Sequence, residues 1–208
     1  INSSGDARVV TMPTRARRIR RVLRSARRCI IRRAENRIRI KTAYAGERIH
    51  SGRSEWTLET LSGMPDADLL HLHWVHGFLD IPHFVTHAAS TGKKLVWTFH
   101  DMSVMTGGFA YDWNRGQPLD SPYRDHLLVA DWTSARLVSS FYRAKAKAFQ
   151  KLEEDQLCII APSQWMAHKV QDSRIMKRFR VETIPNGIDT DIYAPRGKQQ
   201  SRHQWGID

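Results

Sequence analysis

Leu157-Cys158-Ile159-Ile160-Ala161-Pro162-Ser163-Gln164-Trp165-Met166 decides the fold. Its first five residues are apolar without polar alternation, the pattern of a strand buried on both faces of a parallel sheet. Ser163 then stands where a helix N-cap belongs. Trp165, Met166 and Val170 give the following helix an apolar stripe. A strand that runs at once into a capped helix is half of a βαβ unit.

Working outward, the same pattern repeats. Asp68–Trp74 is a compact apolar strand with His71 and His73 on alternate positions. Pro82–Ala89 reads as a helix with proline in its first turn. Lys94–Phe99 is another strand, Arg136–Glu154 a long amphipathic helix, and Arg180–Ile184 the last strand. The alternation predicts an α/β protein, a Rossmann-like parallel sheet with helices on both faces. Ala7–Met12 reads as a short strand stopped by Pro13. Tyr44–Thr57 is small and polar and reads as a loop, and Gly197–Asp208 as one or two helical turns.

At 208 residues and 41% hydrophobic content the chain can bury one sizeable core. Cys29 and Cys158 lie far apart and belong to no CxxC pair, which excludes a disulfide framework and a cysteine-rich zinc site and fits a reducing compartment. No apolar run reaches the length of a membrane span, and the N-terminal arginines precede no secretory core. The formal charge of +12 is local. Fourteen basic residues face one acid, Glu35, between Arg8 and Lys41, and the remainder of the chain is nearly neutral.

That basic segment predicts a helix over Thr14–Arg37, with Ile19, Val22, Leu23, Ala26, Ile30, Ala34 and Ile38 at spacings of three and four. Three readings are open, in this order. It contacts an anionic membrane through Arg17, Arg20, Arg21, Arg24 and Arg28 with its aliphatic residues inserted. It is a solvated face of a helix packed on the body. It binds nucleic acid, although no stacked aromatics or zinc motif accompany the charge.

Parallel strands bring their C-terminal ends to one rim, where open α/β sheets bind ligands. The candidates there are His73 and Trp74, His100 and Asp101, Gly107 and Gly108, Ser163 and Trp165, and Asn186, Gly187 and Asp189. His100 and Asp101 can bond sugar hydroxyls or move a proton; alternatively Asp101 caps its loop and His100 bonds a backbone carbonyl. Gly107 and Gly108 offer unobstructed N–H groups to a phosphate, or make a simple turn. Ser163 is explained as an N-cap, and Trp165 either stacks on a sugar or packs on the sheet. Asn186-Gly187 suits a turn with positive φ. His71, His73 and His76 lack the acidic or cysteine partner of a metal site, so no metal is expected. Neither GxGxxG nor GxxxxGK[ST] occurs.

Four separated segments, in order, resemble family 4 glycosyltransferases. They are Asp66-Ala67-Asp68-Leu69-Leu70-His71-Leu72-His73-Trp74, Thr98-Phe99-His100-Asp101-Met102 with Thr106-Gly107-Gly108, Ala161-Pro162-Ser163-Gln164-Trp165-Met166, and Ile184-Pro185-Asn186-Gly187-Ile188-Asp189 through Pro195. The most similar members are those of colanic acid and other exopolysaccharide pathways. Phe109 stands where such members carry cysteine.

The resemblance implies the N-terminal half of a two-domain GT-B fold with the basic helix added. The activity it implies is retaining transfer of a hexose from a nucleotide sugar to a saccharide or lipid-linked acceptor. The nucleotide sugar is a co-substrate, no metal or other cofactor is needed, and nucleic acid is not a partner. His100 lines the cleft near the transferred sugar. The expected organisation is a variable basic part over 1–65, an acceptor-side domain over 66–195, and over 196–208 the start of a linker to a donor-binding domain outside this chain. The expected protein is cytoplasmic, with the cytoplasmic face of the membrane as a second expected setting, and inactive by itself. The alternative is a non-catalytic membrane- or polyanion-binding module acting through the arginine-rich helix.

Overall fold

The computed structural model describes residues 18–41, 48–56, 67–111, 128–194 and 197–207. The expected strand Ala7–Met12, the first turn of the basic helix with Arg17, and the side chains of Arg20 and Arg21 lie outside the described residues.

Helix α1 spans Arg18–Asn36. Strand β1 (Leu69–Leu72), helix α2 (Ile81–Thr91), strand β2 (Lys94–Thr98) and helix α3 (Trp132–Phe149) follow. Strand β3 (Leu157–Ala161), helix α4 (Gln164–Asp172), strand β4 (Arg180–Thr183) and helix α5 (Lys198–Gln204) complete the order. The four strands are all parallel and lie side by side as β1-β2-β3-β4. This is the α/β, Rossmann-like sheet that the alternation predicts.

Local chemistry sets the boundaries. Asp80 caps α2 by accepting from His83 N, and Gly92 ends the helix at φ 66° with its N–H on the carbonyls of Ala88 and Ala89. Helix α3 starts four residues before its expected position because Asp131 caps it through Ser134 N. It also stops earlier, because Glu153 and Gln156 close a capping box around a separate 3-10 turn, Glu154–Gln156. Ser163 caps α4 through Met166 N, as expected.

One face of the sheet carries the main core. Leu95, Trp97, Leu157, Ile159 and Ala161 are buried against Phe84 and Val85 of α2, Phe149 of α3, and Met166 and Val170 of α4. On the other face Val96, Cys158 and Ile160 are half-buried and belong to neither apolar cluster. The second cluster joins Ile38, just past α1, to Ile49, Phe109, Leu128 and Val129, and to Val138 and Phe141 of α3. A single antiparallel bridge, Ile40 with Val129, fixes that junction.

Helix α1 docks by its polar side. Arg27 donates to Asp80 Oδ2 at 2.9 Å and to the Ser54 carbonyl at 2.8 Å. Arg28 bonds Glu55, Arg24 lies 4.8 Å over the Trp56 ring, and Glu35 accepts from Ser51 Oγ at 2.6 Å. Toward its N-terminal end the aliphatic residues point the other way, Val22, Leu23 and Ile30 being 63–67% exposed, whereas Ala34 packs on the second cluster. This corrects the membrane assignment of Arg24 and Arg28, whose side chains are committed to Trp56 and Glu55 of the body.

Asp80 is the centre of this docking. Its carboxylate is buried and meets Arg27, Arg53, His83 and the backbone N–H of Ser54. Burial alone would raise its pKa, but His83, Arg53, Ser54 and Arg27 together hold it below the ordinary carboxylate value. Removing one member of such a buried set costs about 3 kcal/mol, because the partners remain desolvated. Asp80→Ala is expected to lower unfolding stability by that amount in urea titrations. A loss well under 1 kcal/mol would show that the latch is not structural.

Candidate active site at the strand rim

Parallel strands in sequential order place the ends of β1, β2, β3 and β4 along one edge. The residues just past those ends are therefore neighbours: His73, His100, Ser163 and, farther along, Asn186. The first two touch. His73 Nδ1 and His100 Nε2 are 3.0 Å apart, with the rings nearly stacked at 5.4 Å between centroids. One imidazole donates and the other accepts, so the contact couples their tautomers. Both are at the surface, open to a ligand.

The core beneath sets this pair. Trp97 is buried and its indole N–H donates to the His73 carbonyl at 3.0 Å, pinning the end of β1 to β2. His71 Nε2 lies 2.9 Å from Thr98 Oγ1, and its ring is 4.5 Å from His73. Burial, then the neighbouring His73, lowers the His71 pKa. His71 and His73 thus each have a hydrogen-bond partner across the β1–β2 pair.

Asp101 uses both oxygens on its surroundings. Oδ1 accepts from Ser103 N at 2.8 Å and Ser103 Oγ at 2.6 Å, and Oδ2 accepts from Trp74 Nε1 at 3.0 Å. It shapes its loop and orients Trp74, which is 58% exposed and flanks a small cleft with His50, His76 and His100. The buried Lys145 of α3 supports the same loop through the Ser103 carbonyl.

Other expected site residues stand differently. Gly107 and Gly108 are buried, an environment of the turn reading more than of an unobstructed phosphate site. Gly108 (φ 122°) receives His50 N on its carbonyl at 2.8 Å, and a Cβ there would meet Ile49 at 2.8 Å. The need for glycine is therefore close packing of residues 49–50. Ser163 spends its hydroxyl on the α4 cap. Trp165 is 51% exposed with Lys169 over its ring, so it stands off the sheet. Asn186 and Gly187 are exposed in an extended segment, and Gly187 lacks the positive φ expected of it. The turn comes later: Asp189 accepts from the N–H groups of Asp191 and Ile192.

The sequence gives no sign of His50, and it marks His76 only as a core or crevice histidine in preference to a metal ligand. Their rings meet at 4.1 Å beside Trp74, and the Nδ1 atom of each is buried without a hydrogen-bond partner among the described residues. His50 comes from the segment that read as plain loop, so no periodicity marked it. Burial, followed by repulsion from His50, drives the His76 pKa down to about 4, against a partial counter-effect from Asp101. His76 is therefore neutral in the folded protein at pH 6, while in the unfolded chain it takes up a proton near 6.5. The folded state binds fewer protons, so stability is full above about pH 6.5 and falls as pH drops toward 4. Melting temperature measured across this window should decline, and His76→Gln should flatten the decline. An unaltered slope in the variant would rule out His76 as its source.

Among the described residues no helix is long and apolar enough to cross a membrane. No curated protein and no solved structure matches the chain. The family model for Glycosyltransferase Family 4 matches residues 5–192, nearly the whole length and all four strand ends. The chain belongs to glycosyltransferase family 4.

Proposed function

We propose that the strand rim is the acceptor side of a retaining hexosyltransfer site. A sugar passes there from a nucleotide-sugar donor to a saccharide or lipid-linked acceptor of polysaccharide biosynthesis, of the colanic acid or exopolysaccharide type. The nucleotide sugar is the co-substrate, and the reading calls for no metal. The observation that carries it is the His73–His100 contact at the joined ends of β1 and β2.

A hydrogen-bonded imidazole pair offers both donor and acceptor atoms to sugar hydroxyls at a fixed spacing. His100 touches the transferred sugar and steadies it as charge develops at the anomeric carbon. His73 is a positioning residue that fixes the His100 ring. Trp74, held by Asp101, supplies an apolar face for a sugar ring. Asp101 has both oxygens occupied by Ser103 and Trp74, so its part is to shape the site. Asn186 and Asp189 belong to the outer edge of the same rim. Substrates held between this rim and an opposing donor-binding wall gain most of their rate from positioning.

The sequence lacks the glycine fingerprints of nucleotide binding, and its Gly107-Gly108 pair is buried. The reading therefore assigns acceptor binding to this rim and donor binding to the wall that faces it. The free thiols Cys29 and Cys158 suit a cytoplasmic setting. In the non-catalytic alternative α1 is the working part and the rim binds no saccharide.

Titrating the chain with a panel of oligosaccharides, while following the histidine imidazoles by NMR, tests the reading. A binding saccharide should shift the His73 and His100 signals, and His100→Ala should weaken it about tenfold, the loss of one or two hydrogen bonds to substrate. Transfer in the presence of a donor-binding partner should fall about 100-fold or more in the same variant. Undiminished saccharide affinity in His100→Ala would remove the pair from the site.

A further inference from the structure

We propose that α1 is a docking surface for an anionic lipid bilayer, turned outward by its own arginines. An amphipathic helix on a soluble protein ordinarily buries its aliphatic stripe and shows its charges to water. Here the arrangement is reversed up to Ile30, and only Ala34, farther along, packs on the second cluster. Arg24, Arg27 and Glu35 face the body, while Val22, Leu23, Ala26, Cys29 and Ile30 are all exposed. These five positions cover about two and a half turns on one side of the helix, roughly 12 Å of length.

The charge beside the stripe selects the partner. Arg32, Arg33 and Arg37 are exposed and continue the outward side by two further turns. None makes an ion pair with a described residue. The helix has one acid, Glu35, and it is turned inward onto Ser51. The outward side therefore presents aliphatic groups followed by uncompensated positive charge.

A second copy of the chain would cover the aliphatic residues only by setting arginine against arginine. A nucleic acid would meet the arginines and leave Val22, Leu23 and Ile30 in water. The boundary of an anionic bilayer satisfies both requirements, with aliphatic side chains below the headgroups and guanidinium groups among them. The helix lies in that boundary and does not cross it. The arginines that carry the contact are Arg32, Arg33 and Arg37. Arg27 and Arg28 hold the helix to Asp80 and Glu55, so the membrane fixes the orientation of the whole body. This surface stands whether or not the rim transfers sugar.

Co-sedimentation of the 208-residue chain with phosphatidylcholine vesicles, with and without phosphatidylglycerol, is the test. Binding should require phosphatidylglycerol and weaken as salt rises. Leu23→Asp with Ile30→Asp should reduce it at least about tenfold, with the melting temperature kept because both side chains are exposed. Arg33→Gln and Arg37→Gln should each reduce it about fivefold. The proposal is overturned if the chain stays in the supernatant with anionic vesicles, or if the double aspartate variant pellets as well as the parent. It is also overturned if lipid-free ultracentrifugation shows a dimer that this variant dissolves, which would make the stripe a contact between copies.

Discussion

A single buried carboxylate, Asp80, holds together parts of the chain that are distant in sequence. It caps α2, receives Arg27 from α1, and anchors Arg53 and Ser54 from the segment between them. A charge with no exposed side-chain surface is tolerable only when every lone pair is met, and here each oxygen has its donors. The geometry of the other elements follows. Helix α2 can start only at Asp80, and α1 can approach only with Arg27 facing inward. Residues 51–56 must run across the start of α2, where Gly52 accepts from Ile81 N and Trp56 from Asp80 N.

That crossing segment, 48–56, also ties the basic helix to the rim. Glu35 of α1 holds Ser51, Arg28 holds Glu55, and two residues before Ser51 the chain packs on Gly108 of the rim loop. His50 then lies against His76 beside Trp74. No regular hydrogen-bond ladder supports the segment, so its conformation is dictated by side chains from α1, α2 and the rim loop. An irregular strap of this kind transmits orientation through polar groups with distant partners, Ser51 on Glu35, Ser54 on Asp80 and Glu55 on Arg28.

The strands, and the helices between them, were legible because burial leaves continuous apolar runs. Leu157–Ala161 reads as β3 to the residue, and Ser163 marks its helix. The rim was legible for the same reason: once the sheet is parallel, whatever follows each strand must meet at one edge. Two kinds of feature were not. Helix ends set by Asp131 and Glu153 depend on single caps inside polar stretches, where several residues could serve. The orientation of α1 was hidden because its 3.6-residue periodicity defines an aliphatic face without saying whether that face turns in or out. Partners 27 and 53 residues away, in Glu55 and Asp80, decide it, and pattern within the helix contains no trace of them. The same holds for Gly108, in a pair that reads as a phosphate site or a simple turn until Ile49 and His50 are seen to close over it.

The inverted helix and the paired histidines follow from one constraint. Exposing an aliphatic side chain of the size of Leu23 or Ile30 forgoes roughly 1.5–3 kcal/mol relative to burial. The chain accepts that loss at three positions on α1 while satisfying Asp80 with Arg27. Rotating α1 by half a turn would recover the aliphatic burial but would strip Asp80 of its guanidinium. Breaking such a set costs about 3–5 kcal/mol, besides the cation–π contact of Arg24 and the bond of Glu35. The terms are of similar size, so polar docking is sustainable only because Asp80 is already committed to starting α2. Helix α2 in turn adds Phe84 and Val85 to the apolar core that holds Trp97, and Trp97 donates to the carbonyl of His73. The end of β1 that carries His73 is thus anchored in the same core as the helix that Asp80 starts, while Asp80 also turns the exposed aliphatic residues of α1 to the outside.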